Sequence, residues 1–109
     1  MEKHLWHGAV IGAVRADQMG LTIRALHGGA WVAFADTVAA WGTLRHLPEG
    51  RGFTTVELKI NVLARAKEGD ELTAVGEPLH IGSRTQVWQV HSFRGERLSA
   101  NFVCTQIML

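Results

Sequence analysis

Between His27 and Arg45 the chain carries a single ionisable side chain, Asp36. It is set between Gly28-Gly29-Ala30-Trp31-Val32-Ala33-Phe34-Ala35 and Thr37-Val38-Ala39-Ala40-Trp41. A helix that is apolar around its whole circumference cannot leave a face in water, so the rest of the chain has to cover it. A carboxylate buried in such a run is costly unless it is paired or has a task. Asp36 is therefore the residue that most needs a functional explanation.

The chain that must do the covering has 109 residues, enough for one domain with one modest core. A hydrophobic fraction of 47% argues against disorder. The formal net charge of +1 gives no broad electrostatic case for nucleic acid or an acidic membrane. The single cysteine, Cys104, excludes an internal disulfide and has no metal-ligand spacing around it. Its neighbours alternate in strand fashion, so a small core residue in a reducing compartment is expected. The start, Met-Glu-Lys-His, lacks a long apolar segment, so no signal peptide is expected. Together these features point to a cytoplasmic protein. The stretch from Leu26 to Leu44 holds Asp36 and three glycines, and reads as a core helix rather than a membrane span.

The periodicity changes sharply along the chain. Leu5 to Val14 is small and apolar and reads as a first strand; Arg15 to Leu26 reads as a loop. The apolar helix opens at Gly28 or Gly29 and ends near Leu47, because Pro48 cannot continue it. The cluster Pro48-Glu49-Gly50-Arg51-Gly52 is a breaker. From Phe53 to Leu63 the period is two, with Val56, Leu58, Ile60 and Val62 on one side and Thr55, Glu57, Lys59 and Asn61 on the other. Turns at Lys67-Glu68-Gly69-Asp70, Gly82-Ser83 and Arg94-Gly95-Glu96 divide the remainder into strands at 71–81, 84–93 and 97–108. Trp88 and Val90 share one face of the second of these, with Val87 and Phe93 on the other. Short turns imply antiparallel neighbours. The expected architecture is one α+β domain over 1–109: an antiparallel five-stranded sheet wrapped around one long central helix.

His27-Gly28-Gly29, followed by Ala35-Asp36-Thr37 within one helix, resembles the hotdog-fold thioesterases. The group nearest in pattern includes phenylacetyl-CoA and 4-hydroxybenzoyl-CoA thioesterases. The resemblance continues through Gly52-Phe53-Thr54-Thr55-Val56-Glu57-Leu58-Lys59-Ile60-Asn61, the Ala66-to-Asp70 turn and Gly82-Ser83-Arg84-Thr85. It implies an acyl-CoA thioesterase that releases a free acid and CoA and needs no metal or redox cofactor. It implies homodimers, with dimers often pairing into homotetramers. Asp36 is then the nucleophile or general base, the Gly28 backbone N–H polarises the thioester carbonyl, and Thr55 assists. His27, Gly29 and Thr54 would line the substrate. Arg65, Ser83 and Arg84 fall where relatives contact the nucleotide and phosphates of CoA. The column where relatives carry Asn or Gln falls at Leu21, or at Gly20 if the loop is shifted, with Gln18 or Thr22 as substitutes from a rearranged loop.

Elementary chemistry suits these roles. A helix start offers unpaired N–H groups and positive dipole potential to a developing oxyanion, and a carboxylate among Ala, Phe, Val and Trp loses hydration. Gly28 and Asp36 are eight residues apart, about 12 Å along a helix at ~1.5 Å per residue. They cannot both reach one carbonyl, so a working site takes Gly28 from one copy and Asp36 from another. The competing expectation is a hotdog protein that binds an acyl-CoA or another apolar ligand without turning it over. A bare helix aspartate bonded to a neighbouring hydroxyl such as Thr37 is the bland reading of Asp36.

Overall fold

The computed structural model describes residues 10–15, 28–67 and 69–109. Strand β1 (Val10–Arg15) precedes helix α1 (Gly28–Arg45), and four strands follow: β2 (Phe53–Val62), β3 (Glu71–Ile81), β4 (Thr85–Arg94) and β5 (Arg97–Met108). They form one antiparallel sheet in the order β1-β3-β4-β5-β2, and α1 packs on one face of it. The first strand was expected from Leu5; its earlier residues, the loop to Leu26 and Trp6 lie outside the described residues. No helix among the described residues is long and apolar enough to cross a membrane.

The helix starts at Gly28 and ends at Arg45, a basic residue placed where the carbonyl-rich end of the dipole favours it. A last tight turn through His46 N–H to the Thr43 carbonyl, at 3.1 Å, carries the chain toward Pro48. Breaker chemistry thus acts where the sequence put it. At the turn before β3, Asp70 Oδ2 accepts from the Lys67 N–H at 2.7 Å, and Gly69 adopts a positive φ of 90° that favours glycine. Gly95 does the same at the β4–β5 hairpin.

Alternation decides what is buried. Gln86, Trp88, Val90 and Ser92 of β4 and Ala100, Phe102, Cys104 and Gln106 of β5 face the helix and are buried. From the helix side, Ala30, Trp31, Phe34, Ala35, Val38 and Ala39 complete the core. Trp31 and Phe34 are therefore core residues. Gly42 allows the closest approach: a Cβ there would lie 2.5 Å from the Trp88 ring. The helix is not covered all round. Trp41 and Leu44 stay exposed, as do Val56, Leu58 and Val62 on β2, which ends the sheet and whose outer edge pairs with no other strand among the described residues.

Candidate active site

Gly28 and Asp36 lie on one unbroken helix, Gly28 exposed at its first turn and Asp36 half-buried in its middle. Nothing lies within 4 Å of where a Gly28 side chain would begin, so the helix start is open on that side. Beneath Asp36 runs β5. Burial pushes the Cys104 thiol up to about 11, the negative charge of Asp36 pushes in the same direction, and a backbone hydrogen bond from Trp88 opposes both. Cys104 therefore stays a protonated, buried neighbour of the carboxylate, in keeping with its expected core role. The Thr37 hydroxyl, the partner that a bland reading gives to Asp36, donates to the Ala33 carbonyl at 2.8 Å instead.

Thr55 departs from the strict alternation expected for β2. The pairing runs Thr55 opposite Gln106, then Glu57 opposite Thr105, so Val56 is the extra residue of a bulge. The bulge turns Thr55 to the helix-facing side together with Leu58, while Glu57 faces outward and accepts a hydrogen bond from Thr105 at 3.3 Å. A two-residue period cannot show such an insertion, so grouping Thr55 with Glu57, Lys59 and Asn61 is corrected here. The inward Thr55 hydroxyl donates to Gln106 Oε1. Gln106 Nε2 donates to Thr43 Oγ1 at 3.3 Å, and the Thr43 hydroxyl donates to the Ala39 carbonyl at 2.8 Å. Alongside, Gln86 Nε2 reaches the Thr43 carbonyl at 3.4 Å and its Oε1 accepts from Trp88 Nε1 at 2.7 Å. Thr43, Gln86 and Gln106 are buried. The sequence reading missed this polar cluster. Its signal was present: Gln86 shares the parity of Trp88, and Gln106 shares that of Cys104 and Phe102.

Thr54 is exposed at the start of β2. Ser83 and Arg84 are exposed in the β3–β4 turn, where the Arg84 carbonyl accepts from the Met108 N–H at 2.8 Å. This is the end of the sheet that carries Thr43 and the C-terminus of α1. Arg65 is exposed at the opposite end, where its carbonyl accepts from Arg94 Nη1 at 2.9 Å. Within one chain the two sets of cations do not meet. Gly29 is exposed beside Gly28; His27 and Leu21 lie outside the described residues.

Residues 24–100 match the Thioesterase superfamily. The chain is 35% identical over 65 residues to 1,4-dihydroxy-2-naphthoyl-CoA hydrolase of Escherichia coli, covering 60% of this chain and 49% of the relative. It spans about half the length of the curated relatives that it matches. A thioesterase of Haemophilus influenzae superposes with a TM-score of 0.86 at 23% identity, over 98% of this chain and 76% of that one. A hypothetical thioesterase protein of Streptococcus pneumoniae, solved with coenzyme A, superposes with a TM-score of 0.81 at 23% identity, over 94% and 79%. These superpositions show the shared fold.

Proposed function

Because this chain belongs to the thioesterase superfamily, we propose that it hydrolyses acyl-CoA thioesters at a site made by two copies of itself. The observation that carries the reading is the single helix that starts at an open Gly28 and holds a half-buried Asp36 eight residues on. Asp36 attacks the thioester carbonyl or activates water for that attack. The backbone N–H of Gly28 of the partner subunit holds the developing oxyanion. The names of the relatives support a CoA thioester as substrate, since one is a CoA hydrolase and another was solved with coenzyme A. A free, buried Cys104 accords with a cytoplasmic setting. The reaction as written needs no metal or redox cofactor.

The outer edge of β2, which pairs with no other strand among the described residues, and the exposed apolar side chains Val56, Leu58 and Val62 on β2 and Trp41 and Leu44 on α1 support homodimers. Pairing of dimers into tetramers is the family habit. If the two helices run antiparallel, each Gly28 comes level with the other copy's Asp36. Ser83 and Arg84 of the Asp36 copy then lie at the same end as Arg65 of the partner subunit. Cations that are far apart in one chain thereby converge on the nucleotide and phosphates of one CoA. His27, Gly29 and Thr54 flank the substrate in this reading. Thr55 acts through the hydroxyl that the bulge turns inward.

Subunit mixing tests the assignment. Asp36→Ala removes the carboxylate, and Gly28→Pro removes only an N–H at a position that tolerates proline. Each variant alone should lose at least about 100-fold in kcat, the scale of one missing oxyanion donor, while far-UV circular dichroism is unchanged. Mixed and refolded together, they should recover turnover, because each heterodimer regains one intact site. Recovery absent in a verified heterodimer would remove the composite site. Full activity in Asp36→Ala would remove the carboxylate's role. Acyl-CoA binding by the wild type without thiol release would select the non-catalytic ligand-binding protein.

A further inference from the structure

The hydrogen bonds that join α1 to β2 have a direction. The Ala39 carbonyl can only accept, so the Thr43 hydroxyl gives its proton there, at 2.8 Å. Thr43 Oγ1 is then an acceptor for Gln106 Nε2, at 3.3 Å. With its NH2 group turned to Thr43, Gln106 shows Oε1 to Thr55, and the Thr55 hydroxyl donates. Thr55 thus has no proton left to offer, and only lone pairs of its Oγ1 remain for a ligand. Thr43 and Gln106 are buried, so bulk water does not reset the order, whereas Thr55 is half-buried. The neighbours of Thr55 on the same side of β2 are apolar: Phe53 is half-buried and Leu58 is exposed. An acceptor among apolar side chains selects a donor and rejects another acceptor.

Position identifies the donor. Thr43 is seven residues beyond Asp36, about 10 Å along the helix at ~1.5 Å per residue. Thr55 therefore lies between the carboxylate and the Ser83-Arg84 turn. A CoA thioester with its carbonyl at Asp36 and its phosphates at that turn lays its pantetheine arm past Thr55. The arm's donors are its two amide N–H groups and, beyond both as counted from the sulfur, its pantoyl hydroxyl; the amides lie nearer the thioester.

We propose that Ala39, Thr43, Gln106 and Thr55 form a one-way relay that holds Thr55 Oγ1 as an obligate acceptor for a pantetheine amide N–H. The proposal rests on the thioesterase reading above. Thr55 is then a substrate-binding residue for the arm, and Gln106 is a positioning residue that acts through it. The specificity concerns the thiol half of the substrate, whatever acid it carries.

The test uses benzoyl thioesters of four thiols: pantetheine, its two analogues in which one or the other amide N–H is replaced by an ester oxygen, and propanethiol, which has no amide. The wild type should prefer one amide over its ester counterpart by about tenfold or more in kcat/KM, the scale of one hydrogen bond lost to opposed lone pairs. Thr55→Val should erase that preference, with each rate taken relative to the same variant's turnover of the propanethiol ester, so that a general loss of activity cancels. Gln106→Met frees the Thr55 proton to turn toward the ester oxygen, so the preference should shrink with the amide substrate still accepted. Thr55→Ser should restore it. Folding of each variant is followed by circular dichroism. An amide-to-ester ratio near one in the wild type, or a ratio unmoved by Thr55→Val, overturns the relay while leaving the thioesterase reading intact. If no thioester is hydrolysed, that reading falls, and the same ratio is read from calorimetric binding of the corresponding S-benzyl thioethers.

Discussion

At the scale of single residues, Cys104 reports the electrostatics of the site. Its thiol is raised to about 11 from an ordinary 9.0 by burial and by the Asp36 charge. The folded state therefore keeps a proton that the unfolded chain gives up above about pH 9. Between the two values the unfolded state binds fewer protons, so stability falls as pH rises. Thermal melts of the wild type should show a steeper loss from pH 9 to 11 than melts of Cys104→Ala, whose lower overall stability should vary less with pH. Parallel curves would remove the link. Residue identity was also where the sequence spoke most clearly. Asp36 stood out because nothing else charged surrounds it, and Cys104 was recognisable as core from its alternating neighbours. Thr55 was legible as a candidate but not as an inward-facing one, because its direction depends on an inserted residue that only the pairing with β5 reveals.

Elements bring in constraints that no single position shows. The helix sits on β4 through a seat without a side chain: Gly42 lies against Trp88, whose indole N–H is held by Gln86 at 2.7 Å. Trp88 is fully buried and cannot step aside. Gly42→Ala would improve helix propensity by about 1 kcal/mol, yet the added methyl would meet the ring at 2.5 Å. Overpacking of this kind costs about 1–3 kcal/mol, so a net loss of up to about 2 kcal/mol is expected. Thermal denaturation should show a Tm several degrees lower, and a rise in Tm would contradict the seat. Period and breaker chemistry made the helix and the last three strands readable nearly to the residue. The bulge at Val56, the irregularity between Pro78 and His80 and the one between Ser92 and Phe93 were not readable, since each is a property of two strands together. The buried Gln86 and Gln106 were overlooked for a related reason. An inward glutamine reads as an error in a pattern until the Thr43 that satisfies it is known.

For the whole molecule, the apolar helix set the expectation that everything else would wrap it, and one chain does so incompletely. Leu58 is 43% exposed on an edge strand whose outer side has no sheet partner among the described residues. Leu58→Glu places a charge where the proposed partner packs. Light scattering across a dilution series should show the dimer dissociation constant rise at least about 30-fold, the scale of a hot-spot residue. Turnover per chain should fall with the dimer population, and an unchanged assembly with full activity would place the interface elsewhere. The order β1-β3-β4-β5-β2 has a further consequence, for folding during synthesis. β1 waits for β3, pairing Val10 with Gly76, and β2 waits for β5, pairing Phe53 with Met108. Such distant partners slow folding, because loop closure precedes the contacts that reward it. The helix and β2 are made well before the strand that joins β2 to the sheet, so the nascent chain carries its greasiest segment before its cover exists, an interval in which exposed apolar surface is prone to aggregation.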